Sequence, residues 1–596
     1  MTDRLALDRD TNPAFRVPGD RAEGAFLGAA IGDALGWPHE MRASRTEKNR
    51  TPPTLSFMTW TKRSGGRFQP HEELIEAGHY SDDTQLILAT ARALLREPNS
   101  WWVSFASEEL PLWTLYQRGG GGATKRAASS WLAGRAPWNA KPEDAARYFS
   151  AGGNGVAMRI LPHCLRHASA ADFSKPAADI MTDGVTTHGH PRALIGALAY
   201  GYGLWQAFRH RGTLAYGQLL DAVRTNSEAW GAIPTIRDRW SDWTEGAHLD
   251  AYEQLWSETL HEQLDLLDRC AVALAGGVAV IDEDVLRELG CFDRRVNGSG
   301  TVNAAAALFL ASRNAADPIE GVKQAALAEG ADTDTLASMT GGLLGAALGL
   351  GWMSTFARDL QDEKTIRQAG DAVRDLSAEG RPGIGTQRVT KASLASFIAE
   401  LQDLREPSQV LLPNGLPASV EIWNGIKSRA RSLTAQAWRL TLEDGQTLFV
   451  KKLSKASFEM PQAASKNPEL DGLRRKEPSA PLHVGFRLVV SNLSRSVAFY
   501  QEVIGLPISK RTAKSVNLGG ILSLAETTQF HAVSDHITVF VAVADLERSI
   551  SAYQRLMPEG LYRVEEREDR TRMQCLDPDG YRLEIYQSLP QGAPAA

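Results

Sequence analysis

A chain of 596 residues, 43% hydrophobic and 23% charged, is too long for one ordinary domain and has a globular composition, so two or three domains are expected. Its formal net charge of −6 argues against a generic nucleic-acid or anionic-membrane surface. The four cysteines (Cys164, Cys270, Cys291, Cys575) form no CxxC pair, Met1 to Asp20 lacks a signal-peptide apolar core, and the longest apolar runs are too short to span a bilayer; a reducing cytoplasm with no membrane contact is expected.

Residues 1–20 form a polar lead-in. From Arg21 a small-residue helical pattern begins, with Gly28 and Gly32 four apart. No strand precedes them, so close helix packing is a better reading than a dinucleotide fingerprint. Pro38 should stop this helix and leave Glu40 on a loop as a mobile carboxylate. The polar run Lys62-Arg63-Ser64-Gly65-Gly66-Arg67 reads as solvated surface, ahead of a phosphate-facing loop. Next comes Gly78-His79-Tyr80-Ser81-Asp82-Asp83-Thr84-Gln85, directly before an apolar helical pattern. Far downstream Gly330-Ala331-Asp332-Thr333-Asp334-Thr335 repeats that chemistry before another small-residue helix. Asp, Ser and Thr are preferred helix N-caps, so either cluster alone reads first as a cap. One cap needs one acidic residue, however. Asp82, Asp83, Asp332 and Asp334 brought together would repel and raise one another's pKa, which favours a site for hard divalent cations such as Mg²⁺ or Mn²⁺.

Between the clusters lie two glycine-rich loops, Arg118–Thr124 and Gly152–Arg159. Thr187-His188-Gly189-His190 then precedes a strong helix; with no further His or Cys nearby, a capping or hydrogen-bonding role fits better than metal binding. The tryptophans of 205–265 read as core between helices. No convincing hairpin emerges over 21–378, which is read as one large all-α domain. Residues 379–454 carry an amphipathic helix (Leu394, Phe397, Ile398, Leu401) and a hairpin turning at Asp444-Gly445, and 455–480 is a Pro-, Lys- and Glu-rich linker. The block 481–589 holds an internal repeat: His483–Ser496 followed by Phe499-Tyr500, and His536–Ser549 followed by Tyr553. Each copy reads as strand, helix and further strands, giving a small α+β domain of paired βαβββ units, with 590–596 as a tail.

Six ordered motifs in the first block carry a resemblance: Gly-Asp-Ala-Leu-Gly with Glu40, Ser81-Asp-Asp-Thr-Gln, the glycines before Ala123-Thr124, Gly153-Asn-Gly with Met158-Arg159, Thr187-His188-Gly-His, and Gly330-Ala-Asp-Thr-Asp-Thr335. In these the chain resembles the ADP-ribosylglycohydrolase family, which includes the dinitrogenase-reductase-activating glycohydrolase. Ala331 stands where that family often has glycine. The resemblance implies an all-α fold holding two Mg²⁺ (or Mn²⁺) ions. It implies Ser81, Asp82, Asp83, Asp332, Asp334 and Thr335 as metal ligands, and Glu40, Asp82, Asp83 and Asp334 as the catalytic set. Gly153, Asn154, Gly155 and His188 would contact ADP-ribose.

The last block resembles the vicinal oxygen chelate superfamily of glyoxalases and bleomycin-resistance proteins. Metal-dependent members place a His early in each repeat's first strand. Here those positions hold Gly485 and Thr538, His483 and His536 lie two residues earlier, and Glu584 alone matches a ligand. A metal-free binding or dimerisation module is therefore expected.

The implied activity is dimetal-dependent hydrolysis of the bond between the anomeric carbon of ADP-ribose and an acceptor, with an ADP-ribosylated protein, nucleic acid or small molecule as substrate. The alternatives are glyoxalase- or dioxygenase-type metal chemistry at the C-terminal domain, and a non-catalytic ADP-ribose-binding protein.

Overall fold

The computed structural model describes residues 15–40, 55–66, 69–247, 249–376, 387–430, 432–455, 486–512, 515–518, 522–526, 538–543, 545–558, 560, 562–566, 570–579 and 581–588, and the chain divides into two compact units, 1–460 and 461–596.

In the first unit the elements that frame the acidic clusters are α1 (Gly19–Glu40), a hairpin of β1 (Trp60–Ser64) and β2 (His71–Ile75), α2 (Asp82–Arg96), α3 (Gly122–Leu132), α4 (Pro191–Arg209), α5 (Gly300–Arg313) and α6 (Thr333–Leu348). The large helical domain expected from the pattern is present, with the β1–β2 hairpin as an addition that the sequence reading lacked. Its first strand takes in the start of the polar run at Lys62 and its second follows that run, and their alternation is too brief to stand out.

Helices α1 and α6 are the pair on which the rest rests. Gly24, Gly28, Gly32 and Gly36 fall four apart and so share one face of α1. A Cβ at Gly28 would lie 2.3 Å from the Gly341 carbonyl oxygen, one at Gly32 2.0 Å from that of Ala337, and one at Gly36 2.1 Å from that of Thr333. The two backbones thus touch along their length and run antiparallel, which carries the C-terminal end of α1 to the N-terminal end of α6. Pro38 sits inside the last turn of α1 without ending it, and Glu40 is the last helical residue, not a loop residue. The helical core around this pair is apolar, and Trp230, Trp243 and Trp256 are each at most 4% exposed, as core aromatics should be.

Residues beyond the helical domain add α7 (Lys391–Asp403), β3 (Ser408–Leu411), β4 (Pro417–Ile422), β5 (Ile426–Ser428), β6 (Leu433–Leu442) and β7 (Thr447–Lys455). Thr390 opens α7 with a capping box to Ser393. Strands β3, β4, β6 and β7 form an antiparallel sheet in the order β3-β4-β6-β7. Its apolar face (Val420, Trp438, Leu440, Leu448, Val450) shares one core with Leu86, Ala89 and Trp113 of the helical part. Strand β5 leaves that sheet and pairs antiparallel with β2, from His71↔Ser428 to Glu73↔Ile426. This segment is therefore built into the first unit through both a core and a sheet.

The second unit repeats one plan twice. Strand β8 (Phe486–Val490) is followed by α8 (Leu493–Glu502), β9 (Ile508–Arg511), β10 (Ser515–Leu518) and β11 (Leu522–Glu526). Strand β12 (Thr538–Ala542) is followed by α9 (Leu546–Leu556), β13 (Tyr562–Glu566), β14 (Arg570–Leu576) and β15 (Arg582–Ser588). The sheets have the orders β8-β11-β10-β9 and β12-β15-β14-β13, with β8/β11 and β12/β15 parallel and the other pairs antiparallel. Asn492 and Asp545 cap the two helices identically, each accepting from the backbone N–H three residues on. Side chains of both repeats meet in one core, including Phe499, Tyr500, Tyr553 and Ile585.

Candidate active site

Local capping chemistry shapes the site. Ser81 caps α2, its Oγ accepting from the Asp83 N–H at 3.3 Å. A second cap comes from outside: Asp33, fully buried on α1, accepts from the Ser81 N–H (2.9 Å), the Thr84 N–H (3.0 Å) and the Thr84 hydroxyl (2.7 Å). With the orphan donors of α2 thus satisfied, Asp82 and Asp83 are left over. Asp332 occupies the N-cap position of α6, yet its side chain makes no cap hydrogen bond; its Oδ2 accepts from the Asn154 amide at 3.0 Å. The capping explanation therefore covers Ser81 and fails for Asp82, Asp83 and Asp332.

The two clusters meet. The Thr335 hydroxyl donates to Asp83 Oδ2 at 3.3 Å, across 252 positions of sequence. Asp82, Asp83, Asp334 and Thr335 are all at most 5% exposed, Ser81 is fully buried, and Asp332 is half-buried. Desolvation raises the Asp83 carboxyl well above the usual carboxylate range, with Asp33, Asp82 and Asp332 adding to it. Asp334 is likewise raised well above that range, by desolvation first and then by Glu40, Asp332 and Asp83. Asp82 is pushed up to about 7 by desolvation, against Lys62 and with Asp33 and Glu40. Glu40 keeps an exposed flank at the end of α1, yet its carboxyl is also pushed up to about 7, by desolvation first and Asp332 second, with Lys62 opposing.

No three His, Cys, Asp or Glu side chains among the described residues close into a preformed metal cage. The donor chemistry nevertheless fits hard divalent cations: the donors are carboxylate and hydroxyl oxygens, and Asp83 Oδ1 is buried with no hydrogen-bond partner. Mutually repelling buried carboxylates are the condition that a cation relieves.

The expected substrate residues flank this centre. Gly153 bridges to Ser299, and the Asn154 N–H donates to the Gly298 carbonyl at 2.9 Å, which pins the Gly153–Gly155 loop beside Asp332. Arg159, fully buried, holds the far side. Its Nε donates to Asp183 Oδ1 at 2.8 Å, its Nη2 to the Thr187 hydroxyl at 2.9 Å, and its Nη1 to the Gly155 carbonyl. The Thr187 hydroxyl also lies 2.8 Å from His188 Nδ1 and 3.5 Å from the Gly184 carbonyl oxygen. His188 Nε2 lies on the Gly155 side of the ring, where a Cβ on Gly155 would stand 3.3 Å from it. Burial, with Arg159 and Arg126, lowers His188 to about 3, so the ring is neutral. His190, by contrast, caps α4, accepting from the Arg192 N–H.

Sequence reasoning missed three contributors. Asp33 lay inside a quoted motif but was not singled out, although a lone acid within the apolar run Gly24–Trp37 was a visible signal. Lys62, read as surface, lies on β1 with its ammonium 4.6 Å from the centre of the Trp37 ring and within the fields of Glu40 and Asp82. Arg118 is 2% exposed and pairs with Glu73 at 2.7 Å. Neither basic residue has a local pattern that marks it as buried. In the second unit Glu584 is held by Arg572 (2.7 Å) and Gln574 (3.2 Å). His483, Gly485 and His536 lie outside the described residues, and Thr538 starts β12 opposite Arg582.

Residues 13–383 match the ADP-ribosylglycohydrolase family, and residues 481–585 match the Glyoxalase/Bleomycin resistance protein/Dioxygenase superfamily. The chain is 29% identical over 197 residues to the ADP-ribosyl-(dinitrogen reductase) glycohydrolase of Rhodospirillum rubrum, covering 30% of this chain and 56% of that protein. It is 26% identical over 170 residues to the ADP-ribosylarginine hydrolase Tri1 of Pseudomonas putida (strain GB-1), covering 26% of this chain and 38% of that one. The chain thus spans less than two thirds of the length of either relative. A solved structure described as an ADP-ribosylglycohydrolase-related protein complex is 23% identical with a TM-score of 0.40, over 60% of this chain and 97% of that one. No described helix is long and apolar enough to cross a membrane. With the match spanning the helical part that holds both acidic clusters, the chain belongs to the ADP-ribosylglycohydrolase family and carries a glyoxalase-type domain at its C-terminal end.

Proposed function

We propose that this protein hydrolyses the bond between the anomeric carbon of ADP-ribose and an acceptor, using Ser81, Asp82, Asp83, Asp332, Asp334 and Thr335 to hold two Mg²⁺ or Mn²⁺ ions. The observation that carries this reading is the meeting of two acidic helix starts in one buried place, marked by the Thr335–Asp83 hydrogen bond and by carboxyls raised by burial and by one another. Bound there, the ions would supply Lewis-acid contacts to the ribose diol and lower the pKa of a water.

The chain's own groups do the rest. A carboxyl poised near neutrality at Glu40 can take the proton of the attacking water or hold a ribose hydroxyl. In this reading Asp82, Asp83 and Asp334, with the ions they hold, would set the field in which positive charge builds at the anomeric carbon in an oxocarbenium-like transition state. The Gly153–Gly155 loop and His188 would face the ADP-ribose, with Arg159 holding the Gly155 carbonyl and the Thr187 hydroxyl beside them.

The C-terminal domain is proposed as a metal-free binding or dimerisation module, since Glu584 is already engaged by Arg572 and Gln574. The four free, buried cysteines favour a cytoplasmic setting. The test is release of free ADP-ribose from a panel of ADP-ribosylated proteins, nucleic acids and small molecules with Mg²⁺ or Mn²⁺. Release that ceases with a chelator supports the reading; full activity in chelator removes it, and ADP-ribose binding without turnover points to a reader.

A further inference from the structure

Residues 387–455 lie between the two family matches, 13–383 and 481–585, yet the turn joining β6 to β7 reaches the chain just ahead of the acidic start of α2. Asp362 stands at the junction. It occupies the N-cap position of the helix Glu363–Arg374, where an aspartate ordinarily accepts from its own first turn, but its side chain makes no cap hydrogen bond. The carboxylate is turned to two other segments instead. Its Oδ2 accepts from the Tyr80 hydroxyl at 2.7 Å and from the Thr447 N–H at 2.8 Å, and its Oδ1 accepts from the Thr447 hydroxyl at 2.8 Å. Tyr80 is 1% exposed and directly precedes Ser81, and Thr447 is the first residue of β7.

The backbone at this junction is strained. Among the described residues Asp362 alone of the non-glycine residues has a positive φ, 57°. Such a conformation persists only where its surroundings over-determine it. Here they do. The Gln361 N–H donates to the Gly78 carbonyl at 3.0 Å, and Gln361 Nε2 donates to the Thr447 carbonyl at 3.3 Å. A Cβ at Gly78, itself at φ +81°, would lie 1.9 Å from the Asp359 carbonyl oxygen, so the two backbones touch. The same β6–β7 turn also grips α2 farther along, where Arg92 Nη1 donates to Asp444 Oδ2 at 3.0 Å and to Gln446 Oε1 at 2.6 Å. Asp33 holds the N–H groups of Ser81 and Thr84 from α1. The chain entering Ser81 is held separately, by Asp362.

We propose that Asp362 is a positioning residue for the cation-holding start of α2: through Tyr80 it fixes the backbone entering Ser81-Asp82-Asp83, and the β6–β7 turn supplied from beyond the family match holds it in place. This rests on the hydrolase reading above. Three of the six expected ligands are consecutive in sequence, so a change in the direction from which the chain enters Ser81 is carried into all three. Ligands whose backbone is already fixed lose less freedom when a cation binds, and groups that orient ligands act on affinity for that reason. Were Asp362 serving only the helix it starts, its carboxylate would turn into that helix. Glycine, which takes φ 57° without strain, would then serve as well or better. The segment 387–455 is on this reading part of the catalytic unit.

The experiment uses the full chain, first free of metal and then titrated with Mn²⁺. Asp362→Gly removes the carboxylate and relaxes the backbone. Hydrogen exchange of the metal-free variant should quicken over residues 79–84, and its Mn²⁺ affinity by titration calorimetry should fall by about tenfold or more. Asp362→Asn tolerates the same φ and keeps one acceptor oxygen, so it should recover part of both losses. Thr447→Val keeps the backbone N–H and removes only the hydroxyl given by β7. It should move both readouts in the same direction by a smaller factor, and it decides the question if Asp362→Gly does not fold. Either readout staying at its wild-type value in these variants overturns the inference, whatever denaturant unfolding shows, because Asp362 then serves the fold alone. Mn²⁺ uptake by the wild type with unchanged variants removes this inference and leaves the hydrolase reading standing; a wild-type chain that takes up no Mn²⁺ removes both.

Discussion

A single methyl group at Gly36 tests the claim that α1 and α6 bring the acidic clusters together. In an exposed helix Gly→Ala gains stability, by about 1 kcal/mol, because alanine has less backbone entropy to lose. At Gly36 the new Cβ would stand 2.1 Å from the Thr333 carbonyl oxygen, 2.5 Å from its carbon and 2.8 Å from the Asp334 Cα. All three are backbone atoms at the first turn of α6, so no side chain can turn aside. The helices must part by roughly 0.9 Å before the closest contact reaches even 3.0 Å. Overpacking of this kind costs about 1–3 kcal/mol, which outweighs the propensity gain and reverses the sign. The displaced atoms include the backbone of Asp334, and Gly36 itself lies one turn of α1 before Glu40. A misplacement of about 1 Å in a catalytic constellation can cost about a hundredfold in rate. Gly351→Ala is the control, since nothing lies within 4 Å of a Cβ there. Chemical denaturation and ADP-ribose release should show Gly36→Ala less stable and severely impaired, with Gly351→Ala near wild type in both. A Gly36→Ala protein as stable and as active as wild type would refute the backbone-contact argument.

Replacing Asp334 by Asn should abolish ADP-ribose release while leaving far-UV circular dichroism intact, and in chelator the variant should be no less stable than wild type, because it removes one of several mutually repelling buried carboxylates; unchanged turnover refutes the role. The same repulsion sets a pH dependence. Asp82 and Glu40 have pKa values raised to about 7, so their contribution to stability is fully present below the ordinary carboxylate range, near pH 4, and is lost as pH rises through about 7. In chelator the thermal midpoint should therefore fall between pH 6 and 8 from this cluster, and Mg²⁺ should raise it more at pH 8 than at pH 6; a Mg²⁺ increment independent of pH counts against a carboxylate site. Asp183→Asn should cost about 3–5 kcal/mol in denaturant unfolding, since it strands the fully buried Arg159 without its carboxylate. A loss under about 1 kcal/mol would mean that Thr187 and the Gly155 carbonyl suffice to hold that guanidinium.

The fold was legible wherever a period runs long enough to accumulate. The glycine spacing of Gly28 and Gly32 gave close helix packing, and the strand–helix repeat from His483 and His536 gave two βαβββ units that the sheets reproduce strand for strand. Pro38 misled because a proline only removes a hydrogen bond reaching back one turn, and within the last turn of α1 that loss is small enough for the helix to continue to Glu40. The β1–β2 hairpin was hidden for the opposite reason: five-residue strands rich in Lys, Arg and Glu carry little apolar alternation, and their partner β5 lies some 350 positions later.

The site divides along the same line. Its acids announced themselves because two carboxylates side by side have no local use, and the structure shows why: capping of α2 is done by Ser81 and, from another helix, by Asp33, so Asp82 and Asp83 are surplus to the backbone. Its bases did not, because a buried cation gives no sequence signal until its counter-charges are placed. Arg118 is held by Glu73 from β2, and Glu73 in turn by Lys451 from β7, three elements with no common motif. Burial alone would raise Glu73, yet its pKa falls to about 2 because Arg118 and Lys451 outweigh the desolvation. Removing Glu73 would therefore leave two cations, Arg118 and Lys451, without the carboxylate that pairs them. The acids of this site are thus legible as surplus to local structure, and its cations become so only once Glu73 on β2 joins Arg118 to Lys451.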